Sequence, residues 1–482
     1  MSSVRTVGAQ GDVRLYLEAR NYIDVEVVRL EPRLSDPDGK VATVCEFNRD
    51  LGNPQAAFKS VQVAGTSGKG STCTWLARIL HACGAGTGMH VSPYLQVATE
   101  KTWINGRFAN PKRWHDALLR VRPTAERYRA RTDCRASVHG MTSLAVTYEC
   151  FRQAAIDWAV IETGVGGRFD LIQGLDRRLA VITDIGLDHV KTLGEDLRTI
   201  AWHKAGIMEG APRALATFDP EVWPVFEEQA QRCGCRLEAV HPDQVATLHS
   251  GSGRLLVRLS LRNLGVIEIP WPFENAGFRL RNFAMAAAAA DALAEEGIRL
   301  TPEALVAALA QGAVPGRMET VQAEPTVILD AAHNLQKMQA LVESVFPESN
   351  RKGGRRPGGG TSPPRRLLLV MAATGDRAVE EFAAVFPVRP DVLVLTRPLL
   401  YGKKVSMPAE LAQPLRGWAR ETLEEDSPRR AVEAVLSHAR PDDLVLVTGS
   451  IYLVGQARDY WYPWEQVLLQ GTSFPIRETS SC

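Results

Sequence analysis

Long apolar runs are missing from these 482 residues. No stretch of roughly 18 consecutive apolar residues occurs, so a membrane-spanning helix is not expected. A surplus of one charge is missing too: 56 Lys and Arg face 55 Asp and Glu, leaving a net charge of +1. That balance excludes attraction of the whole chain to nucleic acid or to an anionic membrane. Cysteine pairs are absent as well. The eight cysteines include no C-x-x-C, and nothing near Cys233 and Cys235 completes a zinc set. Reduced thiols in a cytosolic protein are therefore expected. The first twenty residues hold no apolar core and reach Asp12 early, so they are not expected to be a secretory signal. No repeat recurs at a solenoid period.

What is present is ordinary globular usage, with 45% hydrophobic and 23% charged residues. Such a chain can bury large cores, and its length fits two or three domains. Short β-rich runs alternate with helical ones, which predicts parallel α/β sheets. Strands are expected at Val61–Ala64, Trp158–Glu162 and Leu179–Asp184. Helices are expected at Thr72–His81, Leu197–Met208 and Asn282–Glu296. Leu255–Leu261 and Val266–Ile269, around Arg262-Asn263-Leu264-Gly265, read as a hairpin. A second α/β series follows the hinge-like Pro315-Gly316, with strands at Thr326–Leu329, Leu367–Met371, Val392–Thr396 and Leu444–Val447. The reading is two domains, 1–314 and 315–482. The Gly/Pro/Arg-rich stretch at 349–366 is expected to be a flexible surface insert. The aromatic tail beyond Arg458 is expected to pack onto the surface and end in disorder.

Chemistry first shows at Gly65-Thr66-Ser67-Gly68-Lys69-Gly70-Ser71-Thr72, between a strand and a helix. Glycines let backbone N–H groups close around phosphate oxygens, and a helix N-terminus adds positive field. Lys69 suits the outer phosphates of a nucleotide, and a hydroxyl after it suits Mg²⁺. Gly70 intervenes between that lysine and Ser71, unlike the strict phosphate-loop pattern. Glu162 closes a buried strand and opens Glu162-Thr-Gly-Val-Gly-Gly-Arg-Phe-Asp170, where a carboxylate can reach a nucleotide-bound metal. His189 also follows a strand. On residue type alone it is a metal ligand, a general base or a satisfied loop histidine.

The loop VAGTSGKGST resembles the Gly-Thr-Asn-Gly-Lys-Gly-Ser loop of the folylpolyglutamate and dihydrofolate synthases, a branch of the Mur ligase superfamily. Leu51-Gly52-Asn53-Pro54, the Glu162 segment, Thr183-Asp184-Ile185-Gly186-Leu187-Asp188-His189 and Lys204-Ala205-Gly206-Ile207 are similar to further motifs of that family. So are Pro315-Gly316-Arg317-Met318-Glu319, Asp330-Ala331-Ala332-His333-Asn334 and Thr448-Gly449-Ser450-Ile451-Tyr452. The resemblance spans roughly residues 50–458. It implies a mostly parallel sheet of phosphate-loop type joined to a smaller Rossmann-like domain.

The resemblance further implies an ATP-dependent ligase that joins L-glutamate to a folate-type carboxylate through an acyl phosphate. Ser71, Glu162, His189 and a carbamylated Lys204 would hold two Mg²⁺ ions. Lys69 and Arg317 would hold phosphates, while Asn282 and Asp330 would contact the nucleotide. His333 and Ser450 would place the amino acid. A monomer without nucleic-acid or membrane partners is expected, since one chain carries the whole two-domain site. Two other readings stand beside this one: a related ligase acting on a non-folate carboxylate, and a nucleotide-binding regulator without turnover.

The chain departs from the family on the acceptor side. Ser92-Pro93-Tyr94-Leu95-Gln96-Val97-Ala98-Thr99-Glu100-Lys101 keeps the frame of the acceptor loop. Tyr94 replaces its histidine, Ala98 its aromatic residue and Lys101 its arginine. His139-Gly140 replaces a Phe-Glu pair, and Phe278-Arg279 a His-Gln pair before Asn282. If Ala98 lines the pocket, a planar acceptor loses a stacking face.

Overall fold

The computed structural model describes residues 2–27, 36–251, 254–273, 277–346, 366–374, 379–400 and 405–476. The insert expected at 349–366 lies outside these residues, except for Arg366.

Two sheets organise the chain, and a small third one leans on the first. Strands of the first are β1 (Lys59–Ala64), β2 (Thr87–His90), β3 (Trp103–Ile104), β4 (Arg107–Phe108), β5 (Trp158–Glu162), β6 (Asp176–Ile182), β7 (Arg213–Thr217) and β8 (Arg236–Val240). They lie in the order β4-β3-β2-β5-β1-β6-β7-β8. Pairing is parallel from β2 across to β8, and β3 pairs antiparallel with both β2 and β4. Burial on both faces explains why β5, WAVIE, is an unbroken hydrophobic run up to its final glutamate. Helices Lys69–Ala82 and Gly277–Ala292 pack together over one face. Their close approach suits the alanine-rich sequence of the second, whose Ala284, Ala286, Ala287, Ala289 and Ala290 are all buried.

The hairpin expected near residue 260 forms from β10 (Arg254–Leu261) and β11 (Gly265–Pro270), and β9 (Ala246–Gly251) adds a third antiparallel strand.

The second domain contains β12 (Glu319–Gln322), β13 (Thr326–Leu329), β14 (Leu367–Met371), β15 (Val392–Thr396), β16 (Glu421–Glu425) and β17 (Leu444–Thr448), ordered β12-β13-β17-β14-β15-β16. Its four central strands match the β-rich runs of the sequence. The two edge strands do not: Glu-Thr-Val-Gln and Glu-Thr-Leu-Glu-Glu are polar, as edges commonly are, and carry no apolar alternation to betray them.

The tail departs from expectation. Helix Trp464–Gln470 returns to the first domain, where Val467 and Leu468 are buried in the core with Tyr16 and Trp114. An aromatic segment with two more apolar residues one helical turn on gains more from burial than from a wet surface. Among the described residues no helix is long and apolar enough to cross a membrane.

Candidate active site

The phosphate loop connects β1 to the helix Lys69–Ala82 at the carboxyl end of the sheet, where ligands of open α/β folds gather. Neighbouring strand ends hold its shape. Thr183 Oγ1 donates to Ser67 O at 2.6 Å, and Thr66 N donates to Asp184 O at 2.8 Å. Thr66 Oγ1 donates to Gly186 O at 2.9 Å. Gly68 caps the helix at φ +85°, and a side chain there would run into Asn282 Oδ1. The loop is thus braced from several sides, and Asn282 stands directly against it.

Two lysines share one carbonyl. Lys69 Nζ donates to Gly65 O at 3.0 Å and Lys204 Nζ donates to the same oxygen at 2.8 Å. Lys204 is 4% exposed. Burial, with Lys69 adding repulsion, pushes its amine down from 10.5 to about 7. Glu162 lies at the end of β5 and accepts from Ser92 N at 3.0 Å. Its carboxylate oxygen would stand 3.3 Å from a side-chain carbon placed on Gly70, so it reaches the loop. Burial raises its pKa, against the pull of Lys69, Arg317 and Lys337. His189 opens a short helix at φ +52°. Burial again leads in holding its ring below the usual range, with Lys69 and Lys204 also lowering it. Lys69 therefore acts electrostatically on Glu162, His189 and Lys204 together, which gathers these residues around one loop. Ser71 is buried in the first turn of the following helix.

A metal ion here would rely on few ordinary ligands. Among the described residues no group of three or more His, Cys, Asp and Glu side chains is placed to hold one. The hydroxyl of Ser71 and the carboxylate of Glu162 are hard oxygen donors that suit Mg²⁺. Lys204 as an ammonium opposes it.

The second domain carries Arg317, Asp330 and His333 near the seam, with Ser450 beside their loop, where Gly449 N donates to Ala332 O at 2.9 Å. Arg317 follows the turn at Gly316, and its guanidinium Nη1 donates to Gly316 O at 2.9 Å. Asp330 is 3% exposed and committed to backbone: Oδ2 accepts from Met318 N at 2.8 Å and Oδ1 from Ala332 N at 2.8 Å. Its carboxylate thus braces the hinge. Ser450, 1% exposed, caps the helix Ile451–Arg458. His333 Nδ1 lies 2.8 Å from Ala331 O. Closure of the seam is visible in Ser67 Oγ donating to Gln336 Oε1 at 3.0 Å and Asn334 Nδ2 donating to Asp188 Oδ2 at 3.1 Å.

On the acceptor side, Glu100 organises its loop by accepting from Leu95 N at 2.7 Å and Gln96 N at 3.1 Å. The helix Ile451–Arg458 lies directly on this loop, because a side chain at Gly455 would collide with Leu95 O. Tyr94 donates from its hydroxyl to Asp24 Oδ2 at 2.9 Å, and His139 Nε2 lies 3.6 Å from Asp24 Oδ1. Lys101 Nζ sits 5.3 Å from the centre of the Tyr94 ring and donates to Ser143 Oγ at 3.2 Å. Burial pushes the Asp24 carboxyl up, but His139, Lys101 and Tyr94 together hold it below the usual range.

Comparisons with known proteins bear on the family. The family model described as Mur ligase, glutamate ligase domain matches residues 316–451. A dihydrofolate synthase/folylpolyglutamate synthase of Bacillus subtilis is 32% identical over 304 residues, covering 61% of this chain and 69% of that protein. The chain belongs to the dihydrofolate synthase/folylpolyglutamate synthase family. The folylpolyglutamate synthase of Lacticaseibacillus casei is 28% identical and aligns over 94% of this chain and all of its own length. Among solved structures, Mycobacterium tuberculosis folylpolyglutamate synthase complexed with ADP superposes with a TM-score of 0.79 at 25% identity, over 94% of this chain and 99% of that one.

Within the family frame, three features escaped the sequence. Asp24 joins the acceptor side from a stretch upstream of every motif, where no spacing could flag it. Ala98 does not line an open pocket: it is 1% exposed, and its N–H donates to Tyr16 Oη at 3.0 Å. Arg279 compensates for the altered start of its helix. It donates to Met318 O at 2.8 Å and Arg317 O at 3.2 Å, tying that helix to the hinge.

Proposed function

We infer that the chain is an ATP-dependent carboxylate–amine ligase that adds L-glutamate to a folate-type carboxylate through an acyl phosphate. The observation that carries this is the convergence of Lys69, Glu162, His189 and Lys204 on the phosphate loop, with Arg317 and Lys337 acting on them from a domain matched to glutamate ligases. A regulator without turnover would need neither Lys204 in its buried place nor a second domain pressed against the loop.

Each residue has a task. Lys69 and backbone N–H groups of the loop neutralise nucleotide phosphates. Arg317, carried by the hinge, adds positive charge from the opposite side as the γ-phosphoryl moves to the acceptor carboxylate. The packed seam keeps water from the acyl phosphate while His333 and neighbouring groups orient the amine. When bound, Mg²⁺ draws charge from the transferring phosphoryl group. Ser71, Glu162, His189 and a modified Lys204 would hold it as two ions. Lys204 suits that modification. Its amine pKa of about 7 leaves a substantial neutral fraction at neutral pH. A neutral amine adds CO₂ to give a carbamate and one proton. The product replaces two repelling cations with an anion beside Lys69 and supplies the oxygen ligand that the site lacks. A site built from both domains of one chain supports a monomer.

The test is phosphate release from Mg·ATP with bicarbonate, glutamate and either dihydropteroate or tetrahydrofolate. Release that needs one of the pterins supports the reading. Release only with an unrelated carboxylic acid moves the protein to the related-ligase reading, and none with any acceptor overturns both.

A further inference from the structure

No motif points to Lys337. It lies in the first turn of the helix Leu335–Val345, four residues after His333. Its Nζ is 3.1 Å from His333 Nε2 and 3.6 Å from Asp188 Oδ2. Asp188 belongs to the first domain and also accepts from Asn334 Nδ2 at 3.1 Å. One ammonium therefore spans the seam between the domains, and both charged side chains are largely buried: 23% of Lys337 and 12% of Asp188 is exposed.

The partners decide the state of His333. A carbonyl can only accept, so the ring nitrogen facing Ala331 O at 2.8 Å carries the proton. An ammonium can only donate, so the nitrogen facing Lys337 carries the lone pair. The ring is held as the Nδ1–H tautomer, with basic Nε2 directed at the seam.

We propose that Lys337 is a positioning residue for the amide-forming half of the reaction: it presets His333 with basic Nε2 facing the seam and then yields that nitrogen to the incoming amine. The proposal rests on the ligase reading above. Before the amino acid binds, Lys337 occupies the place of that amine, an ammonium between a ring nitrogen and a carboxylate. When the amino acid enters, its amine takes Nε2. An ammonium has three donors. Lys337 keeps Asp188, and the N–H released from Nε2 turns to the carboxylate of the amino acid. The amine nitrogen then forms the C–N bond to the acyl carbon and its proton passes to Nε2. The C–O bond to phosphate breaks, and its electron pair leaves with phosphate.

Two half-reactions separate this role from a general loss of structure. Acyl-phosphate formation is followed without glutamate by the scrambling of oxygen-18 between the β,γ-bridge and the β non-bridging positions of ATP. Amide formation is followed against glutamate concentration. Both use the full chain with Mg·ATP, bicarbonate and an acceptor that the wild type accepts. Lys337→Met is expected to keep the scrambling rate within about 3-fold and to lose about 100-fold in kcat/KM for glutamate, the size of effect that misplacement of a reacting group gives. Lys337→Arg, which retains the charge, is expected to recover most of that loss. Equal loss of both half-reactions in Lys337→Met, or no loss in either, overturns the proposal, as does an arginine variant no better than methionine. A wild type that neither scrambles ATP nor forms amide overturns the ligase reading itself.

Discussion

The nucleotide side and the acceptor side of this site are built by opposite means. On the nucleotide side, short ordered motifs lie at strand ends, and each places one side chain against a backbone loop. On the acceptor side, Asp24, the loop residues Tyr94 and Lys101, and His139 come from three separate segments and meet through one another. A phosphate asks for the same charge and the same backbone cradle wherever it binds, so its site is carried by a motif. An acceptor ring is recognised by a surface assembled from distant residues, and that surface can be rebuilt while the loop frame set by Glu100 stays in place.

The most severe way to break the nucleotide side is Lys69→Ala. Turnover is expected to fall by about 1,000-fold or more, since a fixed charge facing the transferred group is lost in a low-dielectric site. The melting temperature should stay near that of the wild type. Phosphate release and a thermal melt check both, and a loss under about 10-fold would remove Lys69 from the machinery.

Lys204→Ala is expected to cost about 100-fold and to abolish any response to bicarbonate. The wild type carries a matching pH signature. Its buried amine becomes neutral as pH passes about 7 rather than 10.5, so carbamate should build up between about pH 6 and 8 when bicarbonate is present. In CO₂-free buffer the unfolded chain binds the proton more tightly than the folded one between about pH 7 and 10.5, so stability should rise with pH across that window. Carbamate can be read directly by carbon-13 NMR after labelling with bicarbonate. No labelled carbamate at pH 8 would sink the modification.

The acceptor side should respond less, and selectively. Tyr94→Phe removes the hydroxyl bonded to Asp24 and is expected to raise KM for the acceptor about 3- to 10-fold, the range of one ordinary hydrogen bond. KM for ATP should not move. An equal rise in both would erase the distinction between the two sides. Smallest in its effect on chemistry is Ala98→Phe. Restoring the aromatic residue common in the family is expected to create no stacking face. Position 98 is sealed beneath Tyr16, so the larger ring should destabilise the fold by about 1–3 kcal/mol without lowering KM for a pterin acceptor. Tighter pterin binding in that variant would show that the pocket does reach Ala98.

Much of the fold could be read directly. Buried parallel strands such as WAVIE and LVLVT are continuous apolar runs with sharp ends, and they are found where the sequence placed them. Edge strands β12 and β16, and the return of helix Trp464–Gln470 to the first domain, were not legible. Their residues are polar, or their partners lie hundreds of positions away. The site divides in the same manner. Lys69, Glu162 and Lys204 all lie against the phosphate loop, and Lys69 acts electrostatically on His189. Asp330 lies near the seam with Ser450 beside its loop, but Asp330 is engaged with backbone N–H groups and Ser450 caps a helix, so their spacing alone did not reveal these bonds.

The sequence by itself determined the class of chemistry. Charge balance gave no global attraction to a polyanion, and the order of the glycine-rich loop, strand-end carboxylate and buried-helix lysine pointed to a phosphate and a metal. These features depend on residue types a few positions apart, which the chain holds together covalently. Tertiary structure alone decided which groups face one another across the seam. Asp188, Lys337 and His333 share an ammonium only because two independently ordered sheets close on each other. Asp24 reaches Tyr94 and His139 only because the N-terminal helices pack beside the acceptor loop. Contacts of that kind follow from packing between distant segments, and no local pattern records them.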